Sequence, residues 1–187
     1  MESFTRADED IGDIMSILSG PEILKQIELG NISVEPFDIS RIGPNSIDVK
    51  LGHQLILMTE NEFDLTKQVI AYNTIYIHDE GFLLRPGFGY LGHTMEVISS
   101  KGFVPWIDGR STTGRYFLSI HQTAGRADDG WVGSLTLELV PLYRPVRIYA
   151  GLPIAQVSFF KLEGESKPYT GRYQNSVGPK LPKPLTF

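Results

Sequence analysis

The chain has 187 residues, 41% of them apolar and 21% charged, with a formal net charge of −5. This is enough chain for one domain with a real core, and too apolar for global disorder. The acid excess argues against a general nucleic-acid binder, which carries a basic surface. No cysteine is present, so a disulfide framework and thiolate metal sites are excluded and a reducing compartment suits the composition. No apolar run approaches the ~20 residues of a membrane span. The opening MESFTRADEDIGD is acidic, unlike the basic-then-apolar pattern of a signal peptide. A soluble, cytoplasmic protein without membrane or nucleic-acid partners is expected.

In chain order, residues 1–18 form an N-terminal extension that matches no pattern. Ser19 and Glu22 make a capping-box pair, Pro21 lies in the first turn and Gly30 follows Leu29 as a stop. A helix is therefore expected, with Ile23, Leu24 and Ile27 as its apolar stripe. Short alternating or apolar runs follow at 46–51, 54–58, 74–77, 89–98, 103–108, 116–121, 134–140, 145–149 and 153–160, separated by turn residues such as Arg85-Pro86-Gly87 and Ala150-Gly151. Many short strands at this spacing predict an all-β, jelly-roll-like barrel over 19–165. The tail, 166–187, is rich in Pro and Gly and is expected to lie outside the core. After Glu165 it carries Lys167, Arg172, Lys180 and Lys183 and no acidic side chain. Such a tail is either a solvated terminus or a flap that closes on a small anion.

Two stretches carry chemistry. In 134–139 Leu135, Leu137 and Leu139 face one way and Ser134, Thr136 and Glu138 the other. Alternation alone leaves Glu138 either pointing to water or held in a pocket. The preceding Ala124-Gly125 and Asp128-Asp129-Gly130-Trp131 predict tight turns with an aromatic beside an acid. That arrangement suits a sugar ring, and equally a self-capped turn whose Trp covers the core. The second stretch, Asp108-Gly109-Arg110-Ser111-Thr112-Thr113-Gly114-Arg115, offers guanidinium forks, hydroxyls and close backbone approach to an anion. It lacks the Gly-Lys-Ser/Thr ending of a Walker loop. Zinc deaminases need a Pro-Cys-x-x-Cys pair, and His53, His78, His93 and His121 lack ligand spacing, so zinc chemistry is not expected. No Gly-x-Ser-x-Gly elbow occurs.

The strings PNSIDVKLG (44–52), DGRSTTGR (108–115), HQTAGRADDGW (121–131) running to LEL (137–139), and AGLPIAQVSF (150–159) resemble, in this order, the dCTP deaminase family of the dUTPase-like superfamily. The resemblance implies a dUTPase-like distorted jelly-roll, assembled as a homotrimer with active sites between subunits. It implies zinc-independent deamination of dCTP to dUTP and ammonia, with Mg²⁺ bound through the substrate triphosphate and dTTP as an inhibitor in the same pocket. Carried over, Glu138 is the general base on water, with Ser111 and Arg115 as its polar partners. Arg110, Thr112, Ala124, Asp128, Trp131, Gln156, Tyr169, Arg172, Tyr173 and Ser176 are substrate-binding. A carboxylate suits the role: it moves a proton from water to N3 and then to the leaving amine, and a nearby arginine keeps it ionised.

Three departures stand out. Asp129 replaces the family's proline and adds negative charge to the sugar turn. Arg172 stands for a lysine in the tail, and Ser176 for a glutamine that contacts the terminal phosphate. A bifunctional enzyme forming dUMP and pyrophosphate, with Asp128 activating water near the α-phosphate, is the first alternative. A deaminase of dCMP or a modified cytosine nucleotide, and a nucleotide-binding trimer without catalysis, are the others.

Overall fold

Ser19 starts the first helix as the sequence pattern requires. In the computed structural model, which describes residues 16–187, α1 (Gly20–Glu28) begins with Ser19 Oγ accepting from the Glu22 amide at 3.4 Å. The Glu22 carboxylate does not complete the reciprocal half of the box; it accepts from Gln26 Nε2 at 2.6 Å instead. Gly30, at φ 74°, closes the helix by donating its N–H to the Ile27 carbonyl. Ile23 is fully buried under the sheets.

Strands dominate thereafter: β1 (Ile32–Glu35), β2 (Ile47–Lys50), β3 (Gln54–Met58), β4 (Tyr72–Tyr76), β5 (Phe82–Leu84), β6 (Tyr90–His93), β7 (Val97–Ser100), β8 (Phe103–Gly109), β9 (Leu118–Ser119), β10 (Val132–Gly133), β11 (Thr136–Pro141), β12 (Val146–Ile148) and β13 (Pro153–Lys161). They form sheets ordered β1-β7-β10, β4-β3-β6-β11-β9, β12-β5 and β2-β13-β8, antiparallel throughout. One apolar cluster joins all four, with Ile47, Val49, Leu55, Leu84, Ile98, Leu137, Leu139 and Phe159 sealed at its centre. Each sheet thus turns alternate residues inward and leaves a polar row outside.

Two outer rows matter for function. On β2-β13-β8, Asp48, Gln156 and Asp108 are direct neighbours across the strands. On the five-stranded sheet, Glu138 pairs with Leu91, and Leu91 with Ile56.

The chain departs from the sequence expectations where polar residues are buried or the backbone is forced. The run at 89–98 is two strands, because Glu96 is fully buried and turns the chain at 94–96. Its carboxylate accepts from the Lys50 amide at 2.9 Å and from Arg41 Nη1, while Thr94 Oγ1 donates to the Glu96 carbonyl. The run at 116–121 shrinks to β9, since 111–115 is a short helix, α2 (Ser111–Arg115), and Phe117 takes a left-handed φ of 55°. Strands β1, β5 and β10 were not anticipated.

At the N-terminus, Leu18 N–H donates to Phe159 O and Lys161 N–H to Ser16 O, so the last residues of the expected extension already edge β13. Residues 1–15 of that extension lie outside the described residues. No helix among the described residues is long and apolar enough to cross a membrane.

Candidate active site

β11 supplies the site's acid because its register is pinned by the core. With Leu137 and Leu139 fully buried, Glu138 must face the other side. There it lines a cavity of about 700 Å³ together with Ala124, Asp128, Trp131, Arg126 and Tyr169. The Glu138 carboxylate is held at one point, Oε2 accepting from the Gln122 amide at 2.6 Å. Gln122 Nε2 in turn donates to the Glu138 carbonyl at 3.3 Å, so Gln122 is fastened to Glu138 through both its backbone and its side chain.

The segment expected to be two tight turns is one extended run and one turn. The Ile107 N–H donates to the Gly125 carbonyl and the Ala127 N–H to Pro105 O, with Trp106 bridged to Arg126. Ala124, Arg126 and Asp128 are consequently exposed on the cavity side, while Gly125 and Asp129 are buried. The turn comes next, with the Trp131 N–H donating to Asp128 O at 3.2 Å and Gly130 at φ 76°. A side chain at Gly130 would also strike Pro168 Cβ at 2.8 Å.

The neighbouring acids have separate roles. Asp128 faces the cavity. Asp129 is buried, its Oδ1 accepting from the Gly102 amide at 2.7 Å and its Oδ2 from the Ser166 hydroxyl. The expected extra negative charge near the substrate is thus absent from the cavity: Asp129 ties the β7–β8 turn to the tail. Trp131 does two jobs, lining the cavity and packing at 7% exposure while Nε1 donates to Tyr173 O at 2.9 Å.

The tail is ordered against this region. Asn175 N–H donates to Val132 O and Ser134 N–H to Ser176 O, so residues 175–176 extend β10 as a parallel bridge. Tyr169, Tyr173 and Ser176 reach the cavity wall. Ser176 is buried and its hydroxyl donates to Tyr173 O at 2.7 Å, so the hydroxyl is engaged within the tail. Two residues earlier Gln174 spans the turn, accepting from Val132 N–H and donating to Gly130 O. Arg172 stands outside the cavity, with Nη1 donating to Pro184 O at 2.7 Å.

The arginine-rich segment does not line this cavity within one chain, although α2 packs on β9, the neighbour of β11. None of Arg110, Ser111, Thr112, Arg115 and Gln156 lines the cavity. Thr113 Oγ1 anchors α2 to Ile154 O at 3.0 Å, and Arg110 is held by Asp48 Oδ2 at 2.9 Å and Pro153 O at 3.1 Å. Ser111 and Arg115 are exposed and their side chains make no hydrogen bond or ion pair among the described residues. Gln156 accepts weakly from Ser46 Oγ at 3.4 Å. The expected contact between Arg115 and Glu138 is therefore not made within one chain.

Sequence reasoning passed over Gln122, Arg126 and Lys180, which line the cavity with the expected residues. Alternation through Gln122, Ala124, Arg126 and Asp128 was the available signal. Among the described residues no group of three or more His, Asp or Glu side chains gathers as a metal cluster.

A family model described as dCTP deaminase-like matches residues 17–162. The chain belongs to this family. Among curated relatives, dUMP-forming dCTP deaminase of Cytophaga hutchinsonii is 40% identical over 163 residues, covering 87% of this chain and 92% of the relative. The enzymes of the same name from Hathewaya histolytica and Clostridium beijerinckii are 41% and 43% identical, over 93% and 92% of their lengths. The crystal structure of 2′-deoxycytidine 5′-triphosphate deaminase from Agrobacterium tumefaciens superposes with a TM-score of 0.62 at 21% identity, over 79% of this chain and 47% of that one. That likeness shows the fold, the dUTPase-like β architecture expected from the sequence.

Proposed function

We propose that the protein is a dUMP-forming dCTP deaminase, converting dCTP and two waters to dUMP, ammonia and pyrophosphate. The observation that carries this is Glu138: its register turns it off the core and into a cavity shared with Asp128, Ala124 and Trp131. The relatives' names favour dUMP over the dUTP first expected as product, making dUTP an intermediate.

In the first step water adds to C4 of cytosine. Glu138 takes one proton of the water and passes it to N3, then takes the second from the C4 hydroxyl of the adduct and delivers it to the leaving amine. The C4–N4 bond breaks, ammonia departs and the water oxygen stays on C4 as the uracil carbonyl. In the second step Asp128 takes a proton from a water that attacks the α-phosphorus. The bond from that phosphorus to the bridging oxygen breaks, and pyrophosphate leaves. Mg²⁺ arrives with the triphosphate as part of the substrate. Trp131 and Tyr169 offer aromatic faces to the sugar.

The assembly proposed is a homotrimer in which α2 of one subunit completes the cavity of the next. What supports it is the division of the site within one chain: among the described residues the Ser111 and Arg115 side chains are exposed without partners, and the Glu138 carboxylate makes no ion pair. A head-to-tail ring supplies each cavity with one such helix. Inhibition by dTTP in the same cavity remains part of this reading.

The test is to incubate the full chain with Mg·dCTP and separate the products. Ammonia, dUMP and pyrophosphate in equal amounts are expected. Accumulating dUTP without dUMP would reduce the second step to an error, and no product would remove the enzyme assignment.

A further inference from the structure

The cavity of Glu138 has two unlike ends, set by the register of its sheet. On the cavity face the five-stranded sheet stacks cross-strand rows: Thr136 with His93, then Glu138 with Leu91 and Ile56. One step further along the same ladders stand Val140, Gly89 and Met58, all of which line the cavity. Rows on one face lie two residues apart, roughly 7 Å along the strands.

The Thr136 end is polar and covered by the tail. Thr136 Oγ1 accepts from the Lys180 N–H at 3.2 Å, Ser134 Oγ from the Gly178 N–H at 2.9 Å, and Trp131 Nε1 donates to Tyr173 O. The Val140 end is apolar and open. Val140 and Met58 are half-buried, and Gly89 between them is exposed. Gly89 is not a turn glycine: its φ is not positive, and a Cβ built there would meet nothing nearer than Val140 Cγ2 at 3.8 Å. The backbone therefore allows a side chain at 89, and the lack of one leaves a shallow apolar dent beside the row of Glu138.

We infer that this dent receives a methyl group on C5 of the cytosine ring, so that the protein also deaminates 5-methyl-dCTP to a thymine nucleotide. The inference rests on the deaminase reading of Glu138 and not on which phosphate product forms.

The shape of a pyrimidine sets the direction. N1, which carries the sugar, and C4, which carries the amine, lie opposite each other across the ring. With the sugar at Trp131 and Tyr169 and C4 at Glu138, the groups on C4 and C5 project past Glu138 toward Val140, Gly89 and Met58. C5 and N3 flank C4 on opposite sides, so a methyl on C5 leaves the N3 edge free for the carboxylate. The chemistry balances as for cytosine: water adds to C4, the C4–N4 bond breaks, ammonia leaves and the methyl is untouched. Seating that methyl against Val140 and Met58 removes apolar surface from water. A hydroxymethyl group would instead turn its hydroxyl toward side chains that offer it no hydrogen-bond partner, which is costly.

The experiment incubates the full chain with the Mg²⁺ complex of dCTP, 5-methyl-dCTP or 5-hydroxymethyl-dCTP and measures ammonia and nucleotide products. Thymine nucleotide and ammonia in equal amounts are expected from 5-methyl-dCTP, with slower turnover of the hydroxymethyl analogue. Gly89→Ala, which fills the dent, is expected to lower kcat/KM for 5-methyl-dCTP relative to dCTP about tenfold or more, the worth of one methyl in an apolar pocket. Thermal melts of the variant separate a filled dent from a damaged fold. The inference alone is overturned if dCTP is deaminated and 5-methyl-dCTP is not, if the hydroxymethyl analogue is turned over as fast as the methyl one, or if folded Gly89→Ala protein keeps the parental ratio. Absence of ammonia from dCTP itself removes the deaminase reading, so the two failures are told apart.

Discussion

Glu138 and Arg115 are both charged residues in stretches suited to catalysis, yet they meet different surroundings. Glu138 stands on a strand whose two neighbours are fully buried, and its carboxylate is fixed by the Gln122 amide inside a cavity. Arg115 ends a five-residue helix with no buried member, and its guanidinium has no partner among the described residues. The first region is fixed in position, though its carboxylate makes no ion pair among the described residues; the second is a cation without a partner among them. In the proposed trimer, a second copy would bring the two together.

Substitutions can break or sharpen this contrast. The largest effect is expected from Glu138→Gln, which keeps the Gln122 contact but removes the base. Deamination should fall about 10²- to 10⁴-fold, the usual worth of a positioned acid–base group, while nucleotide binding and melting temperature change little. Steady-state ammonia release with equilibrium binding reads both.

Next comes Asp128→Asn, which tests whether the two acids of the cavity serve two steps. Ammonia release should stay near the parental rate while dUMP gives way to dUTP. Chromatography of the products decides, and equal losses of both would merge the roles.

Its neighbour should behave differently. Asp129→Ala strands the Gly102 N–H and the Ser166 hydroxyl, a loss of about 1–3 kcal/mol of stability. Asp129→Asn, which keeps an acceptor, should lose less. Denaturant unfolding measures both.

The smallest effect concerns His93 on the sheet that carries Glu138. Burial holds its imidazole below the ordinary value of 6.5, with His53 and Lys180 opposing the charged form and the Thr94 carbonyl favouring it. Below pH 6.5 the unfolded histidine takes up a proton that the folded one resists, so stability should fall as pH drops through that range. In His93→Gln that part of the pH dependence should vanish from melting curves.

Much of the fold was legible because the core dictates alternation. The strands β2, β3, β8, β11 and β13 read directly from their apolar pattern, and α1 from its cap, proline and terminal glycine. What escaped was controlled by tertiary contacts. Glu96 breaks 89–98 because Arg41, fifty-five residues away, meets it in the core. Strand β10 is two residues long and exists beside a tail that crosses it at Ser176. At the site, residue types pointed to Glu138, Asp128 and Trp131, but no local pattern separates Asp128, which faces the cavity, from Asp129, which is buried under it. The arginine segment was readable as anion-binding chemistry, and its exclusion from the cavity of its own chain was not.

The most direct test mixes two crippled chains. Glu138→Gln and Arg115→Ala proteins, each nearly inactive alone, are unfolded together, refolded and assayed for ammonia from dCTP. If each cavity takes its acid from one copy and its arginine from the next, random assembly restores roughly a quarter of parental activity. If the mixture stays as inactive as its components while the parent refolds fully, the site is not shared between copies and the account fails.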